Sequence, residues 1–170
     1  MKVYLACGLT HVPRKQFGRY VSFIHTLAQR LKAGTDTEVR YALLHTDPQL
    51  AEKPIEQRAR LCYVWDREII EWADVLIADA TYPSIGLGIE LQIAENGAKP
   101  IVLCFEQSDE HRAPRADYDN PDGSHHTLQI GDGYVSILAQ GLPNIFRVVG
   151  YQSVAEALSK VSATLALLKK

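Results

Sequence analysis

The chain has 170 residues, of which 46% are hydrophobic, and a formal net charge of −2 at pH 7. This length and apolar content predict one domain spanning residues 1–170, with a core that needs no disulfide framework. The near-neutral charge and the lack of a basic run exclude a nucleic-acid polymer as the expected partner. No apolar run has the length that spans a membrane, and no signal peptide is visible. The three cysteines stand singly in apolar segments, as is typical of reduced thiols in a cytoplasmic protein.

Strand-like and helix-like patterns alternate along the chain about five times. The first is an apolar strand at Lys2–Cys7. A helix follows, with its apolar stripe from Phe17 to Leu31 and its end at Gly34, and then a somewhat polar strand at Thr37–Leu44. The next elements are a helix that begins near Pro54 and carries Asp66, a strand at Asp74–Asp79, and a helix from Leu87 to a stop at Gly97. The last are a strand at Lys99–Phe105, a short element of uncertain type at Val135–Ala139, a strand at Phe146–Gly150 and a helix capped by Ser153.

This order predicts an α/β fold with a doubly wound, mostly parallel, five-stranded sheet of the flavodoxin-like or Rossmann-like class. If the strands run 2-1-3-4-5, the switch point lies between the first and third strands. The polar segment 106–133 is predicted to be a lid, a binding loop or a partly disordered excursion. Its HRAPR and SHH tracts lack a fixed ligand spacing, so we predict no metal site there.

Glu90 follows the most apolar strand, within a glycine-bearing loop and helix start. We expect it in the first turn of the helix, where the helix dipole favours a carboxylate. A lone Glu there is more often structural than catalytic. Gly86 and Gly88, however, remove side chains where a ligand would approach the backbone, and Ser84 offers a hydroxyl at the mouth of the loop. Together these residues predict a binding site.

Asp66 is expected on the apolar face of its helix, because it stands four residues after Cys62 and three before Ile69. A carboxylate on a buried face loses hydration unless it has a partner. One interpretation is a structural Asp that caps a loop or pairs with an Arg. The other is a carboxyl with a raised pKa that serves as a general acid.

Three further residues follow strands at the edge of the sheet where ligands bind. Gly8 and Thr10 lie in the loop after the first strand, and His45 follows the second strand. The alternative for His45 is a turn residue with a local hydrogen bond. If the sheet has the predicted order, these residues converge on the crevice that contains Glu90.

Two segments resemble the nucleoside 2-deoxyribosyltransferase superfamily. Val3–Thr10 (VYLACGLT) is similar to its opening strand, and the segment 65–94 (WDREIIEWADVLIADATYPSIGLGIELQIA) is similar to its main motif block. Within this block Asp66 stands eight residues before Asp74, and Glu90 stands sixteen residues after it. The similarity covers about half of the chain. It is closest to the 2′-deoxynucleoside 5′-phosphate N-hydrolases and the related enzymes that hydrolyse cytidine monophosphate.

The resemblance implies a role for each matching residue. Glu90 matches the nucleophile, Asp66 matches the carboxyl that helps the base depart, and Tyr4 matches the tyrosine that holds the Glu. Ser84 matches a serine that contacts the 5′-phosphate in the hydrolase branch, where transferases often carry an Asp. The first loop departs from the hydrolase pattern, because it lacks their phosphate-binding Ser and Arg and reads GLTH at residues 8–11.

The predicted function is hydrolysis of the N-glycosidic bond of a nucleoside or deoxynucleoside 5′-monophosphate. Two carboxyl groups would serve this reaction as they serve O-glycosidases, without a metal or redox cofactor. The alternatives are a deoxyribosyltransferase that exchanges bases on nucleosides and a nucleotide-binding module without turnover. The resemblance also implies a homodimer or a higher homo-oligomer.

Overall fold

A parallel sheet organises the computed structural model, which describes residues 1–33 and 36–169. Numbered in chain order, the helices and strands are β1 (Lys2–Cys7), α1 (Arg14–Ala33), β2 (Glu38–Arg40), α2 (Ala42–His45), α3 (Asp47–Ala51), α4 (Ile55–Trp72), β3 (Val75–Asp79), α5 (Ile85–Asn96), β4 (Ile101–Glu106), β5 (Asp117–Asp119), β6 (His125–Thr127), α6 (Ile137–Gln140), β7 (Ile145–Tyr151) and α7 (Val154–Leu168). The predicted helix end at Gly34 lies outside the described residues.

The five strands of the main sheet lie in the order β2-β1-β3-β4-β7, and all neighbouring strands are parallel. This order confirms the predicted doubly wound sheet and its switch point between β1 and β3. The loops that leave the carboxyl ends of these two strands must diverge to opposite sides. They therefore open a crevice at this edge of the sheet.

The alternation of side chains along β1 assigns its residues to two cores. Val3 and Leu5 pack with buried residues of α1 and α7 on one face of the sheet. Tyr4 and Ala6 pack on the opposite face with buried residues of α4 and α5. Because successive strand residues point to opposite faces, this register commits Tyr4 to the side that carries α5.

The second strand is shorter than predicted. It spans only Glu38–Arg40, and the chain turns at Tyr41 into α2, so the expectation of a strand through Leu44 was wrong. The amides of Leu44 and His45 donate to the carbonyl of Tyr41 at 3.2 and 3.0 Å. An edge strand has a ladder on one side only, so a run of good helix formers (Ala-Leu-Leu) adopts a helical turn there instead.

The polar segment 106–133, predicted to be a lid, a binding loop or a partly disordered excursion, includes short regular elements. It contains a short 3₁₀ turn at Asp109–His111 and the antiparallel hairpin of β5 and β6. Its beginning is fastened to α1, because Arg19 pairs with Glu106 at 2.8 Å and Gln16 donates to Glu110 at 2.8 Å. The element of uncertain type after this segment is the single helical turn α6.

A fully buried carboxyl ends β3 on the α1 side of the sheet. The hydroxyls of Tyr20 and Tyr151 donate to Asp79 at 2.8 and 2.7 Å, and the amide of Thr81 donates at 3.3 Å. Burial raises the pKa of Asp79, and these hydrogen bonds oppose the rise. The network ties the loop after β3 to α1 and to the end of β7.

No helix in the described ranges is both long enough and apolar enough to cross a membrane.

Candidate active site

The helix that carries Glu90 begins two residues earlier than the sequence predicted. Ser84 is its N-cap residue, and the Ser84 Oγ accepts a hydrogen bond from the amide of Leu87 at 3.2 Å. This cap starts α5 at Ile85, since it satisfies one of the amides that a first helical turn leaves unpaired. The predicted stop at Gly97 is confirmed, because this residue forms the C-cap.

Glu90 is consequently in the second turn of α5, and not in the first turn as expected. Glu90 is half-buried, and the hydroxyl of Tyr4 donates a hydrogen bond to Glu90 Oε1 at 2.5 Å. Tyr4 itself is completely buried in β1. The strand and the helix thus hold the carboxyl from two directions, and the tyrosine fixes which oxygen remains open to a ligand.

The electrostatic surroundings of Glu90 differ from the expectation of a readily ionised carboxylate. Burial raises the pKa of Glu90 to about 8, the hydrogen bond from Tyr4 lowers it, and the charge of Asp66 raises it further. The expectation was wrong because it relied on a first-turn dipole that does not reach the second turn. At neutral pH this environment favours the protonated form of Glu90.

Asp66 lies on α4, which packs directly against α5. The hydroxyl of Thr46 donates to Asp66 Oδ1 at 2.7 Å, and the thiol of Cys62 lies 3.4 Å from Oδ2. Burial raises the pKa of Asp66, and the two hydrogen bonds oppose that rise. This confirms a raised pKa for Asp66, while Asp66 also receives one more hydrogen-bond donor than Glu90 does.

The charges of this region come from acids alone. No basic side chain in the described ranges lies within salt-bridge distance of either Glu90 or Asp66. Two carboxylates that lie near each other, with no cation beside them, raise each other's pKa. The charge of Asp66 accordingly adds to the rise in the pKa of Glu90 that burial causes.

The two glycines of the motif face different sides of α5. Gly86 is four residues before Glu90, so both lie on the same helix face, and a Cβ at Gly86 would meet only Ser84 Oγ at 3.6 Å. The helix face that carries Glu90 is therefore unobstructed at Gly86. Gly88 lines an apolar cavity of about 550 Å³ on the other flank of the helix. The structure does not bring Gly88 to the side of Glu90.

The predicted residues of the first two loops are placed unequally. Gly8 packs against the loop that leads to α5, since a Cβ on it would lie 2.8 Å from both Ser84 Cβ and Tyr82 O. Thr10 is exposed. His45 makes local contacts with Tyr41, whose backbone N and O lie 3.2 and 3.1 Å from its Nδ1. Only Gly8 of these three is packed beside the start of α5.

Two residues next to Asp66 were missed from the sequence. Thr46 stands beside His45 in the stretch after the second strand, and Cys62 had been assigned to the core. The available signal for Thr46 was its position at the carboxyl end of a parallel strand. For Cys62 it was the four-residue spacing to Asp66 on one helix. No group of metal-binding side chains occurs among the residues that the structure describes.

Comparison with known proteins agrees with the predicted resemblance. No family model matches the chain. A curated protein of Thermofilum pendens, named as a 2′-deoxynucleoside 5′-phosphate N-hydrolase, is 25% identical over 166 residues, which are 97% of this chain and 95% of the relative.

Two solved structures share the fold. The CMP N-glycosidase of Clostridium botulinum has a TM-score of 0.56 at 19% identity, covering 96% of this chain and 98% of that one. A conserved protein of Enterococcus faecalis V583 also has a TM-score of 0.56, at 16% identity, covering 95% and 97% of the two chains.

The full-length match to the curated relative is the stronger of these findings, because both chains are covered almost completely and no domain is left unmatched. The named relatives are enzymes that act at N-glycosidic bonds, which agrees with the prediction of an enzyme of this kind. The chain is therefore similar to the nucleoside 2-deoxyribosyltransferase superfamily, as its motif block predicted. Its sequence motifs, its sheet order and these relatives agree on this similarity.

Proposed function

We propose that this protein hydrolyses the N-glycosidic bond of a nucleoside or deoxynucleoside 5′-monophosphate, with Glu90 as the nucleophile. The observation that carries the proposal is the carboxyl of Glu90, held by Tyr4 at 2.5 Å, on a helix that packs against the helix of Asp66. A pair of carboxyls is what cleavage at an anomeric carbon needs. The 2′-deoxynucleoside 5′-phosphate N-hydrolase that is 25% identical supports the choice of substrate.

The chemistry requires the two carboxyls to be in opposite protonation states. An ionised Glu90 oxygen forms a bond to the sugar C1′ while the bond between C1′ and the base nitrogen breaks. Asp66 gives its proton to the departing base, which keeps the electron pair of the broken bond. Water then attacks C1′, Asp66 takes the proton of the water, and Glu90 is released as a carboxylate.

The raised pKa of Glu90 has a consequence for this cycle. Because the pKa of Glu90 is about 8, this carboxyl carries a proton in the free enzyme at neutral pH, and the proton must leave before attack. Tyr4 lowers the pKa of Glu90 by donating to its charged form, so it assists that step as well as orienting the group. Tyr4 is therefore proposed as the residue that prepares the nucleophile.

A phosphate on the sugar would lie at the start of α5. The Ser84 hydroxyl accepts from Leu87 and keeps its own proton for donation, and the first amides of the helix point into the same space. Gly8 adds to the argument, because its missing side chain lets the first loop come close to Ser84. The 5′-monophosphate is for these reasons proposed as the substrate in preference to the free nucleoside.

The second candidate function is transfer of the deoxyribosyl group to another base. It uses the same pair of carboxyls and differs only in what resolves the glycosyl-enzyme. The exposed position of Thr10 and the missing Ser and Arg of the first loop favour this alternative, because the hydrolase branch uses such residues for phosphate.

One experiment separates these functions. The protein is incubated with a panel of nucleosides and 5′-monophosphates, with and without an added base, and free and exchanged bases are followed by chromatography. We expect free base from a monophosphate without any acceptor, and a loss of at least about 10³-fold in Glu90→Ala. Turnover only with an added base supports the transferase, and full activity in folded Glu90→Ala contradicts the mechanism.

We also propose that the protein assembles as a homodimer. Ile85 and Leu138 are 84% and 82% exposed, and both border the 550 Å³ apolar cavity beside α5. Large apolar side chains grouped in this way are typical of surfaces that another chain covers. The superfamily that the sequence resembles commonly forms dimers, which supports a second copy of this protein as the chain that covers this surface.

A further inference from the structure

We propose that Thr46 is a positioning residue for Asp66, which holds Oδ1 and leaves Oδ2 as the oxygen that exchanges a proton with the departing base. This inference rests on the proposed function and assigns a division of labour between the two oxygens of one carboxyl. It concerns a residue of the short helical pair after β2, for which the motif resemblance implies no role.

The side chain of Thr46 does not form the hydrogen bond that is usual at its position in the helix. Thr46 occupies the N-cap position of α3, where a threonine hydroxyl normally accepts from an amide of the first turn, but its side chain makes no cap hydrogen bond. Pro48 is the second residue of α3 and has no amide hydrogen to satisfy. The hydroxyl instead donates to Asp66 Oδ1, twenty residues further along the chain.

Thr46 is buried although its side chain is polar. Thr46 is 1% exposed and is one of only four buried polar or charged residues in the described ranges. Placing a hydroxyl in a protein interior is unfavourable unless it forms a hydrogen bond, so this position is maintained by the bond to Asp66. The 2.7 Å separation between Thr46 Oγ1 and Asp66 Oδ1 is a full-strength contact.

The two oxygens of the Asp66 carboxyl have unequal hydrogen-bond donors. Asp66 Oδ2 has only the thiol of Cys62, at 3.4 Å, and a thiol is a weak donor. A proton can join and leave Oδ2 with little loss of hydrogen bonding, whereas protonation of Oδ1 would displace the donor hydrogen of Thr46. A carboxyl held through one oxygen and lightly contacted at the other suits a group that gives up and regains a proton.

The thiol of Cys62 fits this assignment. Burial and the neighbouring Asp66 raise the pKa of Cys62 to about 12, so the side chain stays a neutral thiol. It does not supply a second negative charge beside the acid. A hydroxyl in its place would donate a stronger bond to Oδ2 and favour the charged carboxylate.

The test compares Thr46→Val, which removes the hydroxyl at nearly constant shape, with Thr46→Ser, which keeps it. We expect Thr46→Val to lower kcat by about ten- to a hundredfold with little change in KM, and most strongly for bases that are poor leaving groups. Thr46→Ser should restore most of kcat. Thr164→Val is the matched control, because Thr164 is 2% exposed and bonds only its own helix, at Lys160 O.

An activity-independent measurement accompanies the kinetics. The pKa of the Asp66 carboxyl, followed by carbon NMR of the labelled protein, should rise in Thr46→Val and fall in Cys62→Ser relative to wild type. This titration tests the inference even if wild-type protein releases no base, which would contradict only the proposed function. Thr46→Ala replaces Thr46→Val if the latter does not fold.

Three outcomes contradict the inference. In the first, kcat of Thr46→Val stays within twofold of wild type. In the second, Thr46→Val slows good and poor leaving groups equally while its melting temperature falls, which indicates a purely structural threonine. In the third, the pKa of Asp66 is the same in wild type and in Thr46→Val.

Discussion

A buried carboxyl without a cation beside it keeps its proton to a higher pH than an exposed one, and Glu90 is in this situation. Burial, the largest cause, raises its pKa from the ordinary value of 4.5 to about 8, and the nearby Asp66 adds to the shift. Such a pKa lies near physiological pH, as is common for ionisable groups at functional sites. The energetic consequence is that the folded protein loses stability when this group is forced to ionise.

Replacing Glu90 with Gln should therefore stabilise the protein in alkaline solution. At a pH below 4.5 the side chain is uncharged in both folded and unfolded chains, so wild type and Glu90→Gln should unfold at similar temperatures. Between pH 4.5 and 8 the unfolded chain ionises first, and wild type loses stability progressively. Above pH 8 we expect Glu90→Gln to be more stable by roughly 2–4 kcal/mol, seen as a melting temperature higher by about 5 °C or more.

Thermal unfolding monitored by circular dichroism from pH 4 to pH 9 measures this difference. Glu68→Gln, on the exposed side of α4, is the control for removing a carboxylate without changing the buried pair. A difference between wild type and Glu90→Gln that is independent of pH would show that Glu90 is not the group with the raised pKa.

At the scale of elements, the start of α5 combines two tasks in one residue. The Ser84 side chain caps the helix by accepting from Leu87, and its hydroxyl can still donate to the phosphate that we propose there. The same short loop is fixed from below by Gly8 and from the side by Tyr82, whose hydroxyl donates to Gln16 at 2.6 Å. A change at Ser84 can thus affect helix stability and substrate preference, and two substitutions separate these effects.

Ser84→Asp keeps a good N-cap acceptor and adds a negative charge, whereas Ser84→Ala removes the cap. We expect Ser84→Asp to remain as stable as wild type and to lose preference for the 5′-monophosphate by at least about tenfold in kcat/KM, because like charges repel. Ser84→Ala should lose about 1 kcal/mol of stability and only part of the preference. The comparison uses kcat/KM for a nucleoside and its monophosphate. An unchanged preference in Ser84→Asp places the phosphate elsewhere.

At the scale of the whole molecule, the doubly wound sheet gathers the proposed site at its switch point and leaves an apolar surface on the other flank of α5. The cavity there lies between α5 and the segment that includes α6, and its apolar lining includes Leu87, Leu91 and Leu142. Gly88 belongs to this surface and not to the side of Glu90. Ser84, at the start of α5, also borders this cavity, so the proposed phosphate site and the apolar surface meet at the beginning of the helix.

A charge placed on this face should prevent association if a second copy covers it. We expect wild type to sediment as a dimer at micromolar concentration and Leu138→Asp to sediment as a monomer, because desolvating an unpaired carboxylate is costly. Sedimentation velocity over a hundredfold concentration range measures both. Leu44→Asp, at a half-exposed side chain outside the cavity lining, is the control. Wild type that stays monomeric throughout contradicts the dimer.

Local patterns in the sequence were sufficient to predict the class of fold and to single out the two carboxyls of the proposed site. The apolar strands at Lys2–Cys7 and Val75–Asp79 and their alternation with helices were sufficient to predict a parallel sheet, because burial on both faces of such a sheet leaves a continuous apolar run. The strand order 2-1-3-4-5 was only a condition of the prediction, which the structure then met. The spacing of Asp66 and Glu90 within the motif block was sufficient for the resemblance. These features depend on local patterns that a single chain carries in its order.

The ionisation of the two carboxyls and the residues that hold them depend on the assembled fold. The pKa of Glu90 depends on enclosure by β1 and α4, and the partner of Asp66 is a threonine twenty residues away, so neither follows from periodicity. The shortened second strand and the earlier start of α5 likewise came from an edge position and from a cap hydrogen bond. Burial and long-range hydrogen bonds are properties of the assembled fold, whereas propensity and periodicity are properties of the sequence.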